Sequence, residues 1–155
     1  MNLQSFDINF MRMAITASRE AAEKGNTPFG ALLARDEQML LVAGNEERTS
    51  GDCTAHAETV LVRRAEQQLG RGALAGSTVY ASGEPCAMCA GAMFWAGVTR
   101  IVYAATKDDI VSALGSPNLP MECASTLAGA NPAVSVEGPF LREEAAAILH
   151  RFGNR

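Results

Sequence analysis

The sequence predicts an α/β fold, and three observations carry that expectation. Short apolar runs of strand character alternate with longer segments of helical periodicity. Between Ala55 and Ala104 the order is helix, strand, helix, strand, the spacing of parallel strands joined by crossovers. Before that, two apolar runs flank a short polar turn, which predicts an antiparallel hairpin and so a sheet of mixed sense. At 155 residues, 48% of them apolar, the chain is expected to form one domain over 1–155 with a real core.

The elements follow in order. Ile8, Met11, Ile15, Ser18 and Ala22 recur at helical spacing, and Lys24-Gly25-Asn26 ends that helix. Gly30–Ala34 and Met39–Ala43 are the hairpin strands around Arg35–Gln38. Glu46–Thr54 reads as a polar loop leading to a helix from about Ala55 to Leu69, with Ala57, Val60, Leu61, Ala65 and Leu69 on its apolar face. Ser77–Ala81 is a third strand. Pro85 suits the first turn of the next helix, which runs to about Ala96, and Arg100–Ala104 is a fourth strand. Beyond Ala105 the pattern weakens. Asp108–Leu114 reads as a short helix, Ser116–Pro120 as loop, Val134–Glu137 as a fifth strand and Leu141–Phe152 as a last helix.

Composition narrows the function. No apolar run approaches the roughly 20 residues that span a bilayer. Met1–Asp7 has no basic segment followed by an apolar one, so it does not read as a secretory signal and a cytoplasmic location is expected. In that setting Cys-x-x-Cys reads as metal-binding or redox before it reads as a disulfide. A net charge of −4 and a densest basic spot of only Arg63-Arg64 disfavour a nucleic-acid footprint.

The chemistry concentrates in Thr54-Ala55-His56-Ala57-Glu58 and Gly83-Glu84-Pro85-Cys86-Ala87-Met88-Cys89. Cys86 and Cys89, three apart, present two soft ligands on one helix face, and His56 offers a third. Zinc held by three protein ligands keeps a fourth position for water, whereas four ligands close a structural site. Cys53 or Cys123 would supply that fourth ligand, but a closed site leaves Glu58 without a task. Both segments sit at expected helix starts beyond strand ends, where ligands of open α/β sheets bind. Zinc brings bound water to a pKa of about 7, and a carboxylate within reach can carry its proton to a ring nitrogen and a leaving amine. That is hydrolytic deamination, and His-x-Glu followed by Pro-Cys-x-x-Cys is the signature of zinc deaminases.

On these motifs the chain resembles the zinc-dependent nucleobase and nucleoside deaminases, of cytidine deaminase-like fold, over roughly Met13–Ala105. Pro28-Phe29-Gly30 and Gly91-Ala92-Met93-Phe94-Trp95-Ala96 are most similar to bacterial guanine deaminases. The resemblance implies a three-layer αβα architecture with a five-stranded mixed sheet, one zinc ion per chain on His56, Cys86 and Cys89, and Glu58 as proton shuttle. It also implies a homodimer and a free nucleobase substrate, guanine first, contacted by Asn45, Phe29, Ala57 and Trp95. Guanine deaminases carry an acid after the fourth strand, while Leu114-Gly115-Ser116-Pro117 here has none. Asp108, Asp109 and Glu122 are the candidates, and Asp109 is assigned to the substrate site. The competing functions are a tRNA adenosine deaminase, which shares the Cys-x-x-Cys-Ala-Gly-Ala-Met run, a cytosine-type deaminase, and a zinc-stabilised scaffold subunit.

Overall fold

The segment Gly30–Arg35 is buried at five consecutive positions, so both of its faces need cover. Ala31 and Leu33 join one core while Leu32 and Ala34 join another, the period-two alternation of a central strand. In the computed structural model, which describes residues 2–153, this segment is β1 of a five-stranded mixed sheet. The chain runs α1 (Ser5–Glu23), β1 (Gly30–Arg35), β2 (Gln38–Gly44), α2 (Glu47–Ser50), α3 (Ala57–Leu69), β3 (Thr78–Gly83), α4 (Ala87–Ala96), β4 (Arg100–Ala105), α5 (Lys107–Leu114), α6 (Cys123–Thr126), β5 (Ser135–Glu137) and α7 (Arg142–Phe152).

Strand order is β2-β1-β3-β4-β5, with β1 antiparallel to both neighbours and β3, β4 and β5 mutually parallel. Residues of α3, α4 and α6 pack on one face of the sheet, and residues of α1, α5 and α7 on the other. The three-layer architecture and the mixed sheet therefore stand as expected. α1 lies so close that a Cβ at Gly30 would collide with the Ala14 carbonyl oxygen. On the α1 side, buried Asp7 accepts hydrogen bonds from Tyr80 Oη (2.5 Å) and Arg100 Nη1 (3.0 Å), and Arg100 Nη2 continues to Glu137 at 2.9 Å. Burial alone would raise the Asp7 pKa, but the bonds from Gln4 N–H, Tyr80 and Arg100 outweigh it and hold the carboxyl below its usual range. This network ties α1 to β3, β4 and β5, and removing one partner of such a buried pair costs about 3–5 kcal/mol.

Several local expectations are revised. Ile8 and Leu69 are exposed, at the ends of their helices' apolar faces. The Glu46–Thr54 loop contains α2, whose Arg48 and Thr49 amides donate to Asn26 Oδ1 at 3.1 Å each, a cap supplied from the α1–β1 turn. Pro85 does not open α4. The helix begins at Ala87, because Cys86 holds extended backbone (φ −73°, ψ 173°) and serves as its N-cap. α6 was not expected at all. Among the described residues no helix is long and apolar enough to cross a membrane.

Candidate active site

Register brings four chain segments to one end of the sheet. Gly44 ends β2 opposite Gly30, while Gly83 ends β3 opposite Ala105 at the end of β4. Just beyond this edge α3 and α4 begin, each with an extended N-cap residue. His56 caps α3 with φ −65° and ψ 155°, and Cys86 caps α4 with φ −73° and ψ 173°. The first is delivered by an Asx turn: Asp52 Oδ1 accepts from Thr54 N (2.8 Å) and Thr54 Oγ1 (2.6 Å), and Ala55 N donates to Asp52 O. Glu58 is then the second residue of α3 and Cys89 the third of α4. Two helix N-termini, each with unpaired amides and a positive dipole end, converge on one point and favour anionic ligands there.

At that point His56 Nδ1 lies 3.6 Å from both Cys86 Sγ and Cys89 Sγ. All three donor atoms fall within 4.8 Å of one another, and among the described residues no fourth side chain joins them. A tetrahedral zinc with bonds of about 2.3 Å to sulfur and 2.05 Å to nitrogen separates the two donors by about 3.5 Å. The donor set fits zinc in both chemistry and spacing. Cys86 is held as a thiolate, its pKa pulled to about 3 chiefly by the Cys89 thiol and also by His56, while Cys89 is pushed up by that same bond and by burial. His56 is raised chiefly by its contact with Cys86. A divalent ion held there would release the proton the cysteine pair retains, since metal-bound thiols ionise.

Cys53 is exposed and Cys123 is buried. The Cys123 thiol is not among the donor atoms that gather with His56, Cys86 and Cys89. The closed-site alternative therefore has no donor in place.

His56, Cys86 and Glu58 line an open cleft of about 540 Å³, the size range of small-molecule sites. Glu58 is 5% exposed, and burial pushes its carboxyl up to about 7. Phe29 reaches the cleft, its ring against Gly83, where a Cβ would lie 2.7 Å from the ring. The opposite wall comes from α5 and the turn after it, through Lys107, Ile110, Val111, Leu114 and residues 115–119.

Other assigned contacts lie elsewhere. Trp95 is 85% exposed on the far side of α4, edge-on to Phe94, and does not line the cleft; counted along the helix, its position falls away from the sheet. Asp109 also turns away from it. Its carboxylate completes the α5 capping box with Thr106 (2.9 Å) and takes a two-pronged ion pair from Arg142, both bonds 2.9 Å. Asn45 is buried beside the cleft with its amide committed: Nδ2 donates to Glu47 Oε1 at 2.7 Å, and Oδ1 accepts Glu47 N–H at 3.0 Å. Ala57 is fully buried in the core, which leaves its first-turn amide as the group it can offer. Asp108 is exposed and Glu122 caps α6.

Sequence reasoning missed Glu47, whose Oε1 lies 3.5 Å from His56 Nε2, and Glu84 and Lys107, all of which line the cleft. The Asn45-x-Glu47 spacing, an Asx turn at the foot of a strand, is the one signal that would have pointed to Glu47.

Residues 4–105 match the family described as the cytidine and deoxycytidylate deaminase zinc-binding region. The probable cytosine deaminase of Schizosaccharomyces pombe is 31% identical over 96% of this chain and 93% of its own length. The guanine deaminase of Bacillus subtilis is 38% identical over 67% of each chain. A solved structure described as a tRNA:A34 deaminase, acting in A-to-I editing at the wobble position, superposes with a TM-score of 0.76 at 31% identity, covering 91% of this chain and 99% of that one.

Proposed function

We propose a substrate class from one premise: the chain belongs to the cytidine and deoxycytidylate deaminase family, whose zinc-binding region it carries. Members are hydrolytic deaminases, so the reaction exchanges an exocyclic amino group on a ring carbon for a carbonyl oxygen, with water consumed and ammonia released. In our reading the substrate is a free nucleobase, guanine first. Zinc, when bound to His56, Cys86 and Cys89, supplies the Lewis acidity that makes water a nucleophile near neutral pH. Glu58 carries one proton of the attacking water to the ring nitrogen, and then carries the proton of the new hydroxyl to the amine, which leaves as ammonia as the carbonyl forms. Phe29 packs the base, and the α5 wall shields it from bulk water.

The observation that carries the chemistry is Glu58, a buried carboxylate facing the cleft beside the three donors. For a small substrate, the support is electrostatic. Arg63 pairs with Asp52 and Arg64 with Glu46, so the densest basic spot of the sequence is already neutralised. Polyanion binding needs unpaired cations along a track. Guanine is supported by the Bacillus relative and by a cleft roomy enough for a bicyclic base. A second reading, cytosine, is favoured by the fission-yeast relative, which aligns over nearly the whole chain.

Assembly belongs to the same reading. α4 carries no charged side chain, and Trp95 is exposed on its outer side with half-buried Ala92 one turn before it. A second copy of the chain would cover that side.

Ammonia release from the zinc-loaded protein decides among substrates, measured with guanine, adenine, cytosine, their nucleosides and an anticodon stem-loop RNA. Guanine is expected to give the highest kcat/KM. Turnover of the RNA alone would end the free-base reading, and a preference for cytosine would replace guanine within it.

A further inference from the structure

Glu84 is 9% exposed and sits two residues before Cys86. Its Oε1 accepts a hydrogen bond from Lys107 N–H at 3.0 Å, and its Oε2 accepts one from Cys123 N–H at 3.1 Å. Those two amides open α5 and α6, the two ends of a single excursion of the chain. Between them lies the cleft wall: Lys107, Ile110, Val111, Leu114 and the turn 115–119. Lys107 Nζ reaches across the same excursion to Leu119 O at 2.7 Å. The backbone of Glu84 is fixed as well, its N–H donating to Ala105 O at 2.8 Å.

We propose that Glu84 is a positioning residue: its two carboxylate oxygens pin both ends of the wall to the turn that carries zinc ligand Cys86. The physical case rests on what each group would otherwise lack. First-turn amides have no partner inside their own helix. A buried carboxylate without hydrogen bonds is strongly disfavoured, and one that accepts two amide hydrogens is satisfied. A bond from each oxygen fixes the direction of the carboxyl plane, so the wall cannot shift relative to Cys86 without breaking one. Catalytic geometry is sensitive to displacements of about 1 Å, which can cost on the order of 100-fold. The wall supplies contacts to the bound base and none of the metal donors. Its displacement should therefore weaken substrate binding before it disturbs zinc.

The test has a substrate-free arm. On the zinc-loaded enzyme, amide hydrogen exchange resolved by NMR should show Lys107 and Cys123 protected, and both should exchange at least about tenfold faster in Glu84→Ala. Exchange of either amide in the wild type at the rate of an open first-turn amide would overturn the proposal, and this measurement needs no variant to fold. In the second arm, Glu84→Gln replaces one acceptor oxygen by an N–H₂ that faces an N–H. It should keep one zinc per chain and raise KM for guanine by roughly fivefold, with kcat falling by less than that. Loss of zinc in step with activity, or an unchanged KM, would overturn it. This arm rests on the free-base reading, and cytosine replaces guanine if guanine is not turned over. A failure of that reading leaves the exchange arm intact, so the two can be told apart.

Discussion

The floor and the wall of the cleft face each other but are built by different rules. The floor, His56, Glu58, Cys86 and Cys89, occupies N-cap and first-turn positions of two helices, each side chain placed by local backbone within a few residues. The wall, residues 107–119, is placed by side chains far off in sequence: Glu84 at 23 and 39 residues' separation, and Arg142 at 33. Reaction type is encoded where spacing alone suffices. The wall is fixed where tertiary contacts decide. The family match covers residues 4–105 and so takes in the whole floor, stopping where the wall begins.

The largest effect should come from the floor. Glu58→Gln keeps the size of the side chain and removes the proton carrier. General acid–base groups contribute about 10²–10⁴-fold. The variant should retain one zinc per chain by metal analysis while kcat for ammonia release falls by roughly a thousandfold. If a tenth of the activity survives, the floor's chemistry lies in some other group and the contrast with the wall collapses.

The same contrast explains what was legible in the sequence. His56, Glu58, Cys86 and Cys89 could be read because a histidine two residues from a glutamate and a cysteine pair three apart already fix the ligand geometry at helix starts. The central strands could be read because burial on both faces demands unbroken apolar runs such as Ala31–Ala34. Asp109 could not, because its partners are Thr106, visible as a capping box, and Arg142, which is not visible at all. Trp95 was misplaced for a different reason. α4 is apolar on every side, so periodicity gives no indication of which residue faces in. α2 and α6 are single turns whose amides are capped by Asn26 and Glu84, and no local pattern announces such caps.

Trp95 offers an intermediate test, on the outer side of the helix that carries the cysteines. A large exposed aromatic on an apolar helix is the kind of residue that dominates an interface. Trp95→Glu should weaken self-association by about 30-fold or more, read as a shift from dimer to monomer in light scattering. A monomeric wild type, or a mass the substitution leaves unchanged at equal concentration, would show that α4 is not an interface between copies, and Trp95 would then have no role in the floor or in assembly.

The smallest effect, and the one that most sharpens the contrast, concerns Asp109. The capping box with Thr106 is worth about 1 kcal/mol, and the pair with half-exposed Arg142 adds little to it. Arg142 holds the Asp109 carboxyl down at about 2, with help from the Thr106 amide and against partial burial. The folded-state pKa is thus depressed below the ordinary 3.8, so the stabilisation is complete above that value and is lost as pH falls through 2. Asp109→Ala should therefore be less stable than the wild type by about 1 kcal/mol at neutral pH, with the two converging below about pH 2 in thermal or urea unfolding. Because Asp109 braces the wall from outside the cleft, kcat should change by less than about twofold. A loss of kcat comparable to that of Glu58→Gln would return Asp109 to the reacting groups. It would also mean that the wall, like the floor, carries chemistry.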